Sequence, residues 1–345
     1  MQKERNSNLD LLRIISCFAV ILIHTNYYFF KDELYHPNLG MTYIVESLIN
    51  IITRFSVPVF IMISGALNLS KEINKDISYF YKKSIRKIFL PVLIAMIPMF
   101  FIEVLSTFLI EKNILESIGI SFYKVFIGEF FNLWYMYMLV GLYLLTPFII
   151  RLKETISGQL YTKIACYLLV WVAVLQLFSS QEAAWSIGVV VAFLPYYLLG
   201  DILYARRESL RPLVAIAVGI TCVLLSFVAR FLGQTYYLIS PYAAFFSPII
   251  IILSLLVFSS TLKLRKNFHS KSLTILANLS FYVYLFLTVV LRIILMLFEK
   301  KVEQPELIEL LLFTVLIALI SLAVAYLYDF FWKKLTKYFN SFFEM

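Results

Sequence analysis

Ten stretches of about twenty mainly apolar residues follow one another along the chain, separated by short polar pieces. About twenty residues of helix cross the hydrocarbon core of a bilayer, roughly 30 Å thick. The expected spans are 9–30, 43–67, 88–110, 133–150, 160–178, 185–204, 213–232, 238–262, 273–298 and 307–332. None alternates with the two-residue period of a half-buried strand. The pattern therefore predicts an all-α, polytopic membrane protein of about ten transmembrane helices.

The polar pieces between the spans test that count. With the N-terminus inside, the cytoplasmic pieces are 1–8, 69–87, 151–163, 201–211, 263–271 and 333–345, and each is net positive. The outer pieces are 31–43, 109–132, 179–186, 230–240 and 299–309, and all but 230–240 are net negative. Cytoplasmic loops of membrane proteins carry the excess of Lys and Arg. Adding or removing one span would destroy the alternation, so both termini are expected in the cytoplasm. A single membrane domain over 1–345 is expected, with no appended soluble domain and a multi-pass location in the plasma membrane. The piece 109–132, with Phe122, Phe126, Phe130 and Phe131 among charges, is expected to form a short helix lying on or dipping into the membrane.

Composition agrees with this class. Hydrophobic residues make up 61% of the chain, against about half in soluble domains. The 32 Phe and 23 Tyr suit lipid-facing helices with aromatic belts. The net charge of +9 is accounted for by the loops, so no nucleic-acid partner is expected. Cys17, Cys166 and Cys222 are scattered within apolar segments, which argues against a disulfide framework. His24, His36 and His269 are far apart, and no metal motif is present. Lys3 and Arg5 precede the first apolar stretch as in a secretory signal. That stretch contains Asp10 and Arg13 and has no small-residue cleavage site, so it is read as a retained helix.

An ionisable group at mid-bilayer costs about 2.5–3.5 kcal/mol on insertion scales, so such groups mark function. The first span holds Asp10, Arg13 and His24. At about 100° per residue, the eleven-residue step from Arg13 to His24 returns to within roughly 20° of the same face. Asp10 precedes Arg13 by one turn. The three therefore line one stripe, with His24 about 16 Å beyond Arg13. A boundary ion pair that only sets topology is an alternative for Asp10 and Arg13. An interhelical hydrogen bond is an alternative for His24. In the second span, Arg54 and Ser64 flank Pro58, whose missing N–H frees the carbonyl of Arg54 and predicts a kink. Glu46, Glu103 and Arg292 lie nearer span ends and are expected to snorkel, with Asp201 also at a helix end. The basic run Lys82-Lys83-Ser84-Ile85-Arg86-Lys87 meets anionic lipid or holds phosphates.

The opening Asn8-Leu9-Asp10-Leu11-Leu12-Arg13, followed after ten residues by His24, resembles the first helix of the membrane acyltransferase-3 family, which reads LDxLR within R-x10-H. Val57-Pro58-Val59-Phe60-Ile61-Met62-Ile63-Ser64-Gly65 is similar to the family's VPxFFxxSG. Lys83 and Arg86 stand where the family often has RxxR, a softer match. Asn132-Leu133-Trp134-Tyr135, with Tyr143 and Pro147, is similar to its LWYL segment, and Ser280-Phe281-Tyr282-Val283-Tyr284-Leu285 to its SFGIYL. Many members follow that last motif with a His, where this chain has Leu287.

The resemblance implies transfer of an acyl group, commonly acetyl, from cytoplasmic acyl-CoA to a cell-surface or lipid-linked glycan. His24 would act as general base or acyl carrier, because an imidazole ordinarily titrates near neutrality. Asp10, Arg13, Lys83 and Arg86 would bind or orient the donor. Arg54, Ser64 and Trp134 would line a pore or acceptor site, although an aromatic-belt role for Trp134 is the simpler reading. Acetyl-CoA, or another acyl-CoA, is the donor substrate that the resemblance implies, and no bound cofactor is expected. The expected partners are membrane lipid, glycan acceptor and acyl-CoA, with a homo-oligomer left open. A polysaccharide or lipid-linked sugar exporter that makes no use of acyl-CoA is the competing reading.

Overall fold

In the computed structural model, residues 6–29, 41–127, 133–178, 188–206, 212–231, 244–264, 270–298 and 307–343 are described. Lys3, Arg5, His36, Phe130, Phe131, His269 and the first parts of the expected spans 185–204 and 238–262 lie outside them. No β-strand occurs among the described residues. The helices are α1 Ser7–Phe29, α2 Met41–Thr53, α3 Ser56–Asn68, α4 Ile77–Ser84, α5 Leu90–Glu111, α6 Ile114–Ile127 and α7 Trp134–Thr155. They continue as α8 Gly158–Phe178, α9 Val189–Arg206, α10 Pro212–Phe231, α11 Pro248–Leu262, α12 Lys271–Phe298 and α13 Leu307–Phe343.

Eight helical segments are long and apolar enough to cross a membrane. Two shorter apolar helices, Leu213–Leu225 and Pro248–Leu262, fall on the other two expected spans. The exterior is that of a protein solvated by lipid. Leu312, Leu319, Leu327 and Phe330 of α13 are exposed, as are Leu93, Ile97, Phe101 and Leu105 of α5. Meanwhile Asn26, Glu46 and Asp201 are sealed inside. A soluble fold inverts that distribution, because water rewards polar surface and lipid does not.

Helix α1 is the axis of the bundle and packs against α2, α3, α11, α12 and α13. Its start is fastened by Asn8, whose Nδ2 donates to the carbonyls of Leu262 (3.2 Å) and Leu264 (2.9 Å) at the end of α11. Those carbonyls have no intrahelical donor. The second span is broken at Arg54–Phe55, as Pro58 predicts: without an N–H at Pro58 the ladder restarts one residue on, with Val59 donating to Phe55 (3.0 Å).

The closest helix contact is between α3 and α9. A Cβ on Gly65 would stand 1.9 Å from the Tyr197 carbonyl oxygen, and one on Gly200 would stand 2.0 Å from that of Met62. Each glycine admits the other helix's backbone, as small residues do at membrane helix crossings.

The piece after α5 forms α6, which doubles back along α5 rather than lying apart. Lys112 takes a left-handed φ of 58° at the turn, and Asn113 accepts from the backbone N–H of Leu115 (3.1 Å). Ser117 and Ser121 of α6 are buried, whereas Leu115, Phe122 and Tyr123 are exposed. At this interface the expectation of snorkelling charges is corrected. Glu103 is 3% exposed and pairs with Lys124 at 2.5 Å and with Arg292, whose other arm donates to Ser106 at 2.9 Å. A carboxylate this deep cannot reach water, so its charge is met by cations from two other helices. Glu46 and Asp201 are likewise buried, and Asp201 pairs with Lys153 at 2.6 Å. We predict that Glu103→Gln lowers stability by up to about 3 kcal/mol, the low end for breaking a buried pair because about a third of each cation is open. Thermal unfolding in detergent checks this, and an unchanged midpoint would contradict it.

Candidate active site along the first helix

Two polar clusters lie at different depths beside α1. Because α1 runs unbroken from Ser7 to Phe29, the eleven-residue step between Arg13 and His24 is about 16 Å along its axis.

The first cluster surrounds Arg13, near the end of the bundle where α1 begins. Arg13 meets Asp10 at 3.6 Å, with Asp10 almost fully buried and Arg13 about a quarter exposed. The aspartate thus holds the guanidinium from behind and leaves its outer side accessible. Arg13 also lies within Coulombic reach of Tyr135 and Tyr143. The Tyr143 hydroxyl faces Ser64 and Asn68 of α3. Tyr197 of α9 also faces Asn68, and its hydroxyl is 2.7 Å from that of Thr146. The glycine-mediated crossing of α3 and α9 is what brings Asn68 and Tyr197 together.

Lys83 joins this cluster through a chain of contacts. Its Nζ donates to Asn74 Oδ1 (3.0 Å), and Asn74 Nδ2 donates to the Asn68 carbonyl (2.8 Å). The Lys83 ammonium also lies over the ring of Phe80, which packs against Tyr143. Arg86 stands three residues further on, exposed on the wide turn Ile85–Phe89 that links α4 to α5. The structure therefore gathers Asp10, Arg13, Ser64 and Lys83 at one end and leaves Arg86 at its rim.

The second cluster surrounds His24, which is half-buried. Arg54 is within Coulombic reach of His24. Its guanidinium lies over the Phe245 ring, 5.6 Å from the centroid. Phe245 in turn packs against Trp134 (5.8 Å) and Phe193 (5.7 Å). Trp134 therefore faces an interior aromatic wall rather than a membrane-interface belt. Arg54 and Trp134 share this wall, whereas Ser64, which sequence reasoning grouped with them, stands with Arg13.

Behind Arg54 runs a ladder on α2. Arg54 Nε donates to Asn50 Oδ1 (2.7 Å), and Asn50 Nδ2 donates to Glu46 Oε1 (3.3 Å). Ser47 Oγ donates to Glu46 Oε2 (3.3 Å), and Asn26 Nδ2, two residues beyond His24, donates to the Glu46 carbonyl (3.2 Å). Sequence reasoning took Glu46 for a snorkelling span-end charge and missed Asn50, though their four-residue spacing with Arg54 was readable. It also missed the partners of Asn8 and Tyr197, which are distant in the chain, and the short-range bonds of Asn74 to Asn68 and Lys83, six and nine positions away. Leu287, at the position where the similar family motif is often followed by His, is buried and apolar. Among the described residues, no group of three or more His, Cys, Asp or Glu could hold a metal ion.

A family model described as an acyltransferase domain matches residues 6–330. No curated protein and no solved structure matches the chain.

Proposed function

The chain belongs to the acyltransferase-3 family, and from that premise we propose that it is an O-acyltransferase moving acetyl from cytoplasmic acetyl-CoA to a cell-surface or lipid-linked glycan in the plasma membrane. The observation that carries this reading is the unbroken α1, which sets an arginine-centred cluster and a histidine-centred cluster about 16 Å apart on one face. That separation suits a donor whose nucleotide end must stay at one side of the membrane while its thioester reaches the other depth. Arg13 and Lys83 receive the phosphorylated end, with Arg86 at the mouth, since guanidinium and ammonium groups match phosphate oxygens. Asp10 orients Arg13. The pantetheine arm lies along α1, and His24 takes the proton of the acceptor hydroxyl. The aromatic wall of Trp134, Phe193 and Phe245 stacks against the acceptor sugar.

The test is CoA release by the purified protein in proteoliposomes supplied with acetyl-CoA and a glycan precursor fraction. Acceptor-dependent release supports acyl transfer. No release, from protein shown to be folded, returns the weight to the exporter, which has no use for a thioester. Arg13→Ala should raise the KM for acetyl-CoA by about 10- to 100-fold, the worth of one charge-assisted phosphate contact, and should change kcat much less. An unchanged KM would remove Arg13 from the donor site.

A further inference from the structure

We propose that Tyr196 is a positioning residue for the acceptor: its hydroxyl latches segment 244–247 onto α9, and this fixes Phe245, at the depth of His24, as the surface that receives the apolar face of a pyranose ring. This rests on the acyl-transfer reading. Helix α11 has 15 residues and is about 22 Å long, short of the roughly 30 Å hydrocarbon core. Its C-terminal end is pinned beside the start of α1, where Asn8 donates to the carbonyls of Leu262 and Leu264. The two helices pack together, and they run antiparallel from that point. Counted along each helix from the Asn8–Leu262 contact, Pro248 stands roughly 21 Å away and His24 roughly 24 Å. The chain ahead of α11 therefore departs from helix at about the depth of His24.

Irregular backbone at membrane depth persists only where protein or a water-lined cavity meets its polar groups. Here side chains meet them. Ser247 Oγ accepts from the backbone N–H of Ile250 (3.3 Å) and caps α11. The Tyr196 hydroxyl donates to the Phe245 carbonyl (2.5 Å). Tyr196 is 0% exposed, so this bond, and not bulk water, holds that carbonyl to α9.

The two rings of the segment differ in burial. Phe246 is buried, stacked on Tyr196 at 6.0 Å and packed against Phe193 at 4.7 Å. Phe245 is only half-buried, beside Trp134 at 5.8 Å, which is half-buried too. Phe193, sealed at 2% exposure, backs the pair. Phe246 and the Tyr196 hydroxyl are thus the anchor of the segment, and Phe245 with Trp134 is the accessible front of the aromatic wall.

A pyranose presents a face of C–H bonds that fits a flat aromatic ring. Such a contact sets a sugar hydroxyl at the depth of His24 only while the ring beneath it stays in place. The Tyr196 bond ties down the peptide that carries Phe245. Without that bond the segment is docked for less of the time, and apparent affinity falls with the docked fraction. The thioester chemistry is untouched, because the wall binds ground state and transition state alike.

The test is steady-state CoA release by wild type, Tyr196→Phe, Phe245→Leu and Phe245→Trp in proteoliposomes, normalised to monodisperse protein. Acetyl-CoA and the glycan precursor fraction are varied in turn, and the half-saturating amount of the fraction is the acceptor KM. Tyr196→Phe keeps the stacked ring and deletes only the hydroxyl. It should raise the acceptor KM by about 5- to 10-fold, with kcat and the acetyl-CoA KM within a few-fold of wild type. Phe245→Leu should raise the acceptor KM at least as far, and Phe245→Trp, which restores a flat ring, should recover most of the loss. A lower kcat per folded molecule at unchanged acceptor KM would make the latch purely structural and overturn the proposal. A rise in the acetyl-CoA KM instead would put the wall on the donor and overturn it too, as would three variants that match wild type. If Tyr196→Phe yields no monodisperse protein, the Phe245 pair decides: an acceptor KM unchanged in Phe245→Leu overturns the proposal. In each of these cases CoA release by wild type leaves acyl transfer standing. No CoA release by wild type overturns both readings.

Discussion

Replacing His24 with alanine should lower the rate of acyl transfer by about 10²–10⁴-fold, the usual contribution of a positioned general base, at normal protein yield. The loss should fall on kcat. On the proposed reading the donor is held about 16 Å away at Arg13, so its KM should be nearly unaffected. His24→Gln should be no better, because glutamine fills the space but cannot take a proton. Labelled acetyl-CoA added without acceptor separates the two roles open to the imidazole. Label retained on wild-type protein and absent from His24→Ala marks an acyl carrier, whereas none on either marks a general base. Full activity in His24→Ala would end both roles and with them the two-cluster mechanism.

Gly200→Ala and Gly65→Ala should each destabilise the fold toward the upper end of the roughly 1–3 kcal/mol seen on overpacking. The obstacle in each case is a backbone carbonyl, which cannot rotate away as a side chain would: Tyr197 for Gly65 and Met62 for Gly200. The helices must separate, and Asn68 then loses its register with Tyr197. Transfer activity should therefore fall with stability in these two variants. Gly119→Ala and Gly219→Ala serve as controls, since a Cβ there meets nothing within 4 Å. Replacing a helical glycine in open space should be neutral or mildly stabilising. Equal unfolding midpoints across all four variants would refute the close crossing.

What could be read from the sequence was what depends on one helix at a time. The Asp10–Arg13–His24 stripe needs only the helical repeat, and α1 carries it unbroken. The break after Arg54 needs only the missing donor of Pro58, and it lies where that logic puts it. Contacts between distant helices could not be read. Ser64-Gly65 was visible as a small-residue pair, but nothing local marks Gly200 as its counterpart. Glu103 and Arg292 looked like span-end charges because each was judged alone, and they are 189 positions apart. Trp134 looked like a belt residue because composition cannot distinguish a ring facing lipid from one facing Phe193 and Phe245. The donor and acceptor roles of the two clusters were legible only through the resemblance of the motifs to the family's, because neither phosphate nor sugar leaves a periodic trace in one helix.

The pairing of Glu103 also constrains how the protein is made. A ribosome releases roughly 5–20 residues per second. Lys124 follows Glu103 by 21 positions, and Arg292 follows it by 189. The nascent α5 therefore has its first counter-ion within a few seconds, and α5 and α6 can leave the insertion machinery together as a neutralised hairpin. Arg292 emerges on the order of ten seconds or more later, carrying a charge of its own into the bilayer. Its entry is eased because a carboxylate is already waiting at the right depth. The order of synthesis thus lets the α5–α6 hairpin serve as a docking template for α12, and a chain lacking Glu103 should complete the insertion of its late helices more slowly, as well as being less stable once folded.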